Sequence, residues 1–392
     1  VPPLAYIEYL TKGLGHRGST TENEKRAADY VRRMLLNAGV HEVEVQRFRS
    51  AVKIWRPYIV CLFLGLSAAA VYPLGGVPTR FIAALLCALA LWWFYRELNF
   101  HDNLLQHLLP RGESQNVIGR IQPTDSVRAQ VVLVGHLDSG QTPLLMSSQW
   151  TLPLFVLLSF AGVASLAFNA AAYLAGGLTG DPVLYDVSWI GTLVLGVTLL
   201  FALEAELSPY TQGANDNASA VGVLLGLAQR AANSPLQHTR IWVLLSGCEE
   251  VGCYGMRHFL HECAQDVKEA CFINLEGVGA GRLHYATREG MLKAYRSDPG
   301  LIGVARRVSE GHPDLECKPH ALYAGYTETG VVVQGNFRGI TVLGLQNNGL
   351  YTYLPYWHQR RDTYENLDAG ALGQTQEFVW QMLQEIDRRA AP

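Results

Sequence analysis

Five short stretches of this 392-residue chain carry side chains that could bind a metal and move a proton. In Gly135-His136-Leu137-Asp138 a histidine precedes a carboxylate by two positions. That spacing suits an imidazole that binds metal through one ring nitrogen while a nearby carboxylate steadies it. Gly213-Ala214-Asn215-Asp216-Asn217-Ala218-Ser219 sets an aspartate between two asparagines in a glycine-opened loop that runs into an apolar helical pattern. There the neighbouring amides and backbone N–H groups are expected to fix the Asp216 carboxylate so that it points outward toward a cation. Glu249 and Glu250 are adjacent, and two such carboxylates repel unless a cation or a proton lies between them. Their natural division is one ligand and one general base. Glu276 follows an apolar run, and His358 opens the segment His358-Gln359-Arg360-Arg361-Asp362-Thr363-Tyr364-Glu365-Asn366-Leu367-Asp368. Taken singly, each has an ordinary structural explanation: a helix cap, a surface hydrogen bond, a solvated helix start. Together, two histidines and three carboxylates with no cysteine ligand suit a borderline-hard divalent ion such as zinc, at a catalytic site that keeps positions open for water.

Short apolar runs precede most of these residues. The segments 117–121, 131–134, 241–245, 271–275 and 340–345 are β-branched or leucine-rich, as buried strands are, and helical patterns lie between several of them. The expectation is an α/β fold with a mixed, mostly parallel sheet covered by helices. Sites in such sheets gather beyond the C-terminal ends of the strands. The run 131–134 delivers His136 and Asp138, 241–245 delivers Glu249 and Glu250, and 271–275 delivers Glu276. Near the start, Thr20, Thr21 and Glu24 offer helix caps. Ala27, Tyr30, Val31, Met34, Leu35 and Ala38 then recur with helical period until Gly39, and 43–48 alternates like a half-exposed strand.

A net charge of −3 and a pI near 6.5 give no basic face, so nucleic acid is not an expected partner. Seven scattered cysteines suggest no disulfide framework. Cys248 and Cys253 flank the paired glutamates, but no second Cys/His pair stands at finger spacing, which argues against a structural zinc site.

At Trp55 the composition changes. No charged residue occurs in 57–79, 81–95, 139–180 or 187–203. A bilayer core needs about 20 apolar residues per helix, with about 17 as the lower limit. Glycine- and proline-rich breaks at 73–78 and 176–182 stand where hairpins would turn. Two transmembrane hairpins are therefore expected, at 53–97 and 149–204, with 1–52, 98–148 and 205–392 forming the catalytic domain. Trp55, Trp92, Trp93, Trp150 and Trp189 would anchor helix ends at the interface. Two hairpins make four transmembrane helices and leave the polar segments on one face. Arg47, Arg49, Lys53, Arg56, Arg96, Arg111 and Arg120 on the flanks, against Arg80 at the tips, favour the cytoplasmic side. The alternative is a set of buried core helices or an apolar dimerisation surface. Asp216 follows the last apolar run closely, so by sequence adjacency the metal centre is expected near the bilayer.

The order His-x-Asp, Gly-x-Asn-Asp-Asn-x-Ser, Glu-Glu-x-Gly, strand-end acid and His-x-x-x-Asp-Thr-x-Glu-Asn-Leu-Asp resembles the di-zinc aminopeptidases, family twenty-eight of the metallopeptidases. Secreted bacterial leucine aminopeptidases, glutamate carboxypeptidase and glutaminyl cyclase belong to that group. Gly15-His16-Arg17-Gly18-Ser19 matches as well, and the resemblance covers about 10–50, 115–140 and 208–390. It does not extend to the apolar blocks, which look inserted. The resemblance implies two Zn2+ bridged by Asp216, one completed by His136 and Glu276, the other by Glu250 and His358. Glu249 is implied as general base and Asp138 as the partner that orients His136. Two departures stand out: Glu276 replaces the usual aspartate, and Thr327-Glu328 stands where Ser-Asp or Thr-Asp is usual. Tyr326 and Tyr351 are candidates for an oxyanion hydrogen bond.

The implied activity is membrane-embedded, zinc-dependent amide hydrolysis, with an aminopeptidase acting on peptide N-termini as the first expectation. A deacylase of N-acyl amino acids or other lipidic amides is the alternative that the hairpins raise. Glutaminyl-cyclase-like acyl transfer is a second, against which His136 counts, and a metal-free binding relative is a third, against which the complete ligand set counts.

Overall fold

The uninterrupted apolar runs become strands covered on both faces. The computed structural model describes residues 2–323 and 325–391. Among them ten strands form: β1 (Glu42–Ala51), β2 (Arg111–Ile121), β3 (Ala129–His136), β4 (Thr239–Ser246), β5 (Cys271–Glu276), β6 (Arg282–Glu289), β7 (Tyr295–Arg296), β8 (Lys318–Ala321), β9 (Arg338–Asn347) and β10 (Thr352–Tyr353). They join in the order β1-β2-β4-β3-β5-β9-β6-β7, with β8 on β6 and β10 on β9. The central four, β4, β3, β5 and β9, are parallel, and β2 and β6 flank them antiparallel. Val131, Val132, Leu133 and Val134 have no exposed surface, which is the burial a parallel strand covered on both faces requires. The expected mixed, mostly parallel sheet is thus the fold of the chain, and its parallel centre brings four C-terminal strand ends to one edge.

Backbone contacts divide the chain into two units: Val1–Val52, Gly112–Gln141 and Tyr210–Pro392 form the first, and Lys53–Arg111 and Thr142–Pro209 the second. In the first unit lie α1 (Pro3–Glu8) and α2 (Glu22–Asn37). The Thr21 side chain caps α2 by accepting from the Glu24 N–H, while Glu24 Oε2 accepts from Thr20 N–H at 2.7 Å. One open donor of the helix and the N–H of the residue before its cap are met in this reciprocal way, as in a capping box.

The second unit holds α3 (Trp55–Val71), α4 (Val77–Leu98), α5 (Leu104–Leu108), α6 (Leu152–Thr179) and α7 (Val183–Leu207). By length and composition α4, α6 and α7 could each cross a membrane, whereas α3 has 17 residues. Among the described residues three helices, not the four expected, reach that length, because the turn through Pro73, Gly75 and Gly76 ends α3 early. The four long helices pack as a ring, α3 on α4, α4 on α6, α6 on α7 and α7 on α3. Close approach inside it uses small residues: a Cβ on Gly191 would strike Asn169, whose Nδ2 donates to Thr192 Oγ1 at 3.2 Å. The outward faces carry Phe63, Leu85, Leu157, Ile190, Leu193 and Leu200, each more than 60% exposed within the structure. The interior is apolar too, around Leu62, Leu166, Leu195 and Tyr173, with Ser165, Asn169, Ser188 and Thr192 set among them, so these helices lack the polar outer face of a water-soluble bundle.

The first unit continues with α8 (Ser219–Asn233), α9 (Tyr254–Cys263), α10 (Pro299–Gly311), α11 (Glu328–Gln334) and α12 (Ala369–Ala390). Val221, Val223, Leu224, Leu225 and Leu227 of α8 are all buried, so it is a core helix, packed against β3, α1 and α12. Its N-terminus is thereby held at the edge where the parallel strands end.

Candidate metal centre

β3 ends on His136, which is 1% exposed. Its Nε2 lies 3.2 Å from Asp216 Oδ1 and 3.3 Å from Glu276 Oε1, and its Nδ1 faces Asp138, 3.1 Å from the carbonyl and 3.4 Å from Oδ1. β5 supplies Glu276 as its last residue, beside β3 in the sheet. From the turn after β4, Glu250 places Oε2 3.0 Å from His358 Nε2, and that nitrogen is 3.8 Å from Asp216 Oδ2. The two oxygens of Asp216 therefore face two different His–Glu pairs: Oδ1 with His136 and Glu276, Oδ2 with His358 and Glu250. All five residues named as ligands from the sequence converge.

Asp138 does more than face a histidine. Its Oδ1 accepts from Glu249 N–H at 3.0 Å, and its Oδ2 from Glu250 N–H at 3.1 Å and Ser19 Oγ at 2.6 Å. One buried carboxylate thus fixes the backbone of both glutamates. Glu249 accepts from Cys253 Sγ through Oε1 at 3.3 Å, and its Oε2 lies 3.9 Å from His136 Nε2.

The loop around Asp216 is built differently from the expectation that the asparagine amides hold its carboxylate. Asn217 accepts from Gly277 N–H and donates to Leu275 O; Asn215 accepts from Gly279 N–H and donates to Pro355 O; Ser219 Oγ accepts from Val278 N–H. These side chains point away from Asp216 and lash the loop after β5, because that loop's backbone N–H groups are buried and need acceptors. Asp216 itself is held through its backbone, in a segment whose 216–217 peptide is cis.

Three residues outside the predicted set build the centre from behind. Arg17, fully buried, donates to the carbonyls of Leu10, Leu137, Gln212 and Gly213 at 2.7–3.0 Å. Asp362 accepts from the N–H groups of Asn215 and Asp216. Glu328, buried on α11, accepts from Ser246 Oγ, and burial pushes its carboxyl up to about 7. Arg17, Asp362 and Glu328 all stand inside motifs noted in the sequence, but their long-range partners have no sequence signal. Of the two tyrosines, Tyr326 lies two positions before Glu328, half-buried, and Tyr351 lies in the turn between β9 and β10 with its ring 5.8 Å from that of Tyr353.

So many acids in a dry site cannot all stay ionised without a cation. Burial pushes Glu276 up to about 8 despite the neighbouring His136, and it raises Glu249 and Glu250. Burial alone would lower both histidines, yet Glu276 and its neighbours hold His136 well above the usual imidazole range, and Glu250 lifts His358 to about 9. Asp216 goes down, since the two histidines beside it outweigh its burial. Carboxyls and imidazoles both pushed upward mark a site whose acids call for a positive charge beside them.

The donors fit a divalent ion. His136, Asp216 and Glu250 each offer an atom within 4.8 Å of the others. Among the described residues, Asp216 Oδ1, Glu250 Oε1 and Glu276 Oε2 are buried with no hydrogen-bond partner. Nitrogen and carboxylate oxygen donors without a thiolate suit zinc.

The sequence profile of Peptidase family M28 matches residues 200–383. A curated relative, the probable lipoprotein aminopeptidase LpqL of Mycobacterium tuberculosis, is 26% identical over 196 residues, 42% of this chain and 38% of that protein. The chain thus spans about two fifths of that relative's length. Solved structures with the same fold include a Zn-dependent exopeptidase from Parabacteroides distasonis (TM-score 0.58, 15% identity, 98% of this chain and 96% of that one). Two more are a Tannerella forsythia glutaminyl cyclase (0.59, 17%, 97% and 97%) and BSAP, a zinc aminopeptidase from Bacillus subtilis (0.59, 14%, 98% and 94%).

Proposed function

We propose that this chain, whose residues 200–383 match the profile of Peptidase family M28, is a membrane-embedded, zinc-dependent amide-bond hydrolase that acts as an aminopeptidase on peptide N-termini. The observation that carries the reading is Asp216, whose two oxygens face separate His–Glu pairs. His136 and Glu276 would hold one Zn2+, Glu250 and His358 the other, and Asp216 would bridge them. When bound, the two cations supply the charge that keeps the surrounding carboxylates ionised, polarise the scissile carbonyl and acidify water.

The chain's own residues do the rest. Asp138 holds the Glu249 and Glu250 backbones, and its carbonyl and carboxylate set the ring of His136. Glu249 is the general base. Cys253 occupies its Oε1, which leaves Oε2 to take a proton from attacking water and return it to the departing amine. Tyr326 and Tyr351 are retained as oxyanion donors. The second unit is the membrane domain: α4, α6 and α7 span the bilayer, α3 completes a fourth crossing at the lower length limit, and the catalytic segments lie on the cytoplasmic face. The bilayer is then one partner and peptide the other, with no nucleic acid.

The outward apolar faces of α4, α6 and α7 favour a second reading, hydrolysis of N-acyl amino acids or other lipidic amides delivered through the membrane.

Zinc analysis of the purified chain beside Asp216→Asn, with hydrolysis of aminoacyl and N-acyl amides, tests both. Two zinc ions per chain, reduced in the variant together with aminoacyl-amide cleavage, are expected. Cleavage confined to N-acyl amides would favour the lipidic reading, and a chain that binds no zinc would overturn both.

A further inference from the structure

At the far end of β9 from the acids and histidines, the first unit opens into a cleft of about 680 Å3. Arg338, on its wall, pairs with Cys271 at the start of β5, whereas Glu276 pairs with Leu343 five residues further along. At about 3.3 Å per residue the two places are about 16 Å apart along the strands. The cleft is separate from the candidate metal centre.

The charge on its lining is mostly positive, with Arg288, Arg296 and Arg338 against Asp298. Arg288 of β6 and Arg296 of β7 are direct partners across an antiparallel pair, so both side chains leave the same face of the sheet. Like charges placed so are unfavourable unless something between them compensates. Within the protein little does. The Arg288 guanidinium lies over the Tyr323 ring at 4.7 Å, and its Nε is buried with no hydrogen-bond partner among the described residues. Arg338 donates to the Glu269 carbonyl, an uncharged acceptor. Asp298, the carboxylate in the lining, already caps α10 through the Leu301 N–H. Three guanidiniums against one engaged carboxylate leave two uncompensated charges. Tyr323 and Phe337 add aromatic surface to the same walls.

We propose that this cleft binds a phosphorylated small molecule, its phosphate held by Arg288 and Arg296 and its ring or apolar part laid against Tyr323 and Phe337. A phosphate monoester carries a charge of about −1.5 to −2 near neutrality, which matches the excess here. The planar guanidinium fork fits its oxygens in pairs. The volume lies within the ordinary range of small-molecule sites, roughly 300–1,000 Å3. Binding would relieve the cross-strand repulsion and give the buried Nε an acceptor. The assignment is independent of the hydrolase reading.

The test is calorimetric titration of the full chain in detergent with phenyl phosphate and with inorganic phosphate. Wild type, Arg296→Gln, the double variant Arg288→Gln/Arg296→Gln and Asp216→Asn are compared. Phosphate can also bind at a metal centre, and the last variant separates the two. The expected result is binding of phenyl phosphate by wild type and Asp216→Asn alike, weaker binding of inorganic phosphate, about a tenfold loss in Arg296→Gln and no detectable heat in the double variant. Arg296 is exposed, so its single substitution reads binding even if the double variant fails to fold. Absence of heat in wild type, or binding lost in Asp216→Asn and kept in Arg296→Gln, would overturn the proposal.

Discussion

Asp362 holds Asp216 by its backbone: the two oxygens of the Asp362 carboxylate accept from the Asn215 and Asp216 N–H groups at 2.6 and 3.2 Å. Asp362 is fully buried, and burial together with the nearby Asp216 charge pushes its carboxyl up to about 8. Its partners sit almost 150 positions earlier in the chain, so it ties the last segment of the fold to the centre. Asp362→Asn would turn an NH2 toward a backbone N–H and release one side of the loop. The expected outcome is a 10- to 100-fold fall in zinc affinity, in the range seen when groups supporting metal ligands are removed. Competition with a chromogenic chelator measures it. Unchanged affinity would reduce Asp362 to a packing residue.

Arg17 makes the same kind of tie from the other end. Its guanidinium serves carbonyls in three separate segments, including Leu137 between His136 and Asp138, and Gln212 and Gly213 just before Asp216. Arg17→Met leaves those buried acceptors without donors, which is expected to cost at least about 3 kcal/mol of stability. Arg17→Lys should recover little of it, because an ammonium cannot reproduce the planar fork. Thermal unfolding in detergent checks both variants, and a lysine variant as stable as wild type would show that charge alone suffices.

What the sequence revealed and what it hid divide along the range of the interactions. Runs 131–134, 241–245 and 271–275 are legible because a strand buried on both faces must be apolar at every position. The acids and histidines follow because a parallel sheet exposes its C-terminal edge. β6 was not legible: Arg282, His284, Arg288 and Glu289 break the pattern, though Leu283 and Tyr285 are buried in alternation. Arg17 and Asp362 stand inside motifs that the sequence shows, but what they hold depends on contacts across more than 100 positions. The asparagines beside Asp216 were visible as polar, but their acceptors and donors on 275–279 were not, since hydrogen-bond direction depends on a loop brought in by β5.

Glu249 offers a sharper test of chemistry than any ligand. It touches Cys253 and approaches His136, but no role as ligand is assigned to it. Glu249→Gln keeps the shape and removes the basic oxygen, so kcat should fall about 10^2- to 10^4-fold with zinc content unchanged. Activity retained within a factor of a few would remove Glu249 as the proton acceptor.

Glu289 predicts a pH effect away from the centre. It is fully buried, accepts from Thr327 N–H and from the Thr327 and Thr341 hydroxyls, and burial raises its pKa in spite of those bonds. With the folded value above the ordinary carboxyl value, the folded state binds more protons in the interval between them. Stability therefore falls as pH rises from the ordinary value of 4.5 toward the raised one. Glu289→Gln, which cannot titrate, should show a flatter melting temperature than wild type as pH rises above the ordinary value of 4.5. Parallel curves would assign the pH dependence elsewhere.

The membrane reading rests on which way the apolar side chains face, and a single charge can decide it. Leu193 lies near the middle of α7 and is 66% exposed within the structure. If that surface meets lipid, Leu193→Arg places a guanidinium near the bilayer centre, at about 2.5–3.5 kcal/mol on insertion scales. If it meets water, the same change replaces an exposed apolar side chain by a charged one, improves solubility and leaves stability within about 0.5 kcal/mol. The two environments thus predict opposite signs for one substitution. The expected outcome is less Leu193→Arg protein in carbonate-washed membranes, with Leu36→Arg on α2 of the first unit, where the leucine is exposed, as a control that stays at the wild-type level. More soluble protein from Leu193→Arg than from wild type would place α7 in water and remove the bilayer from the partners of this chain.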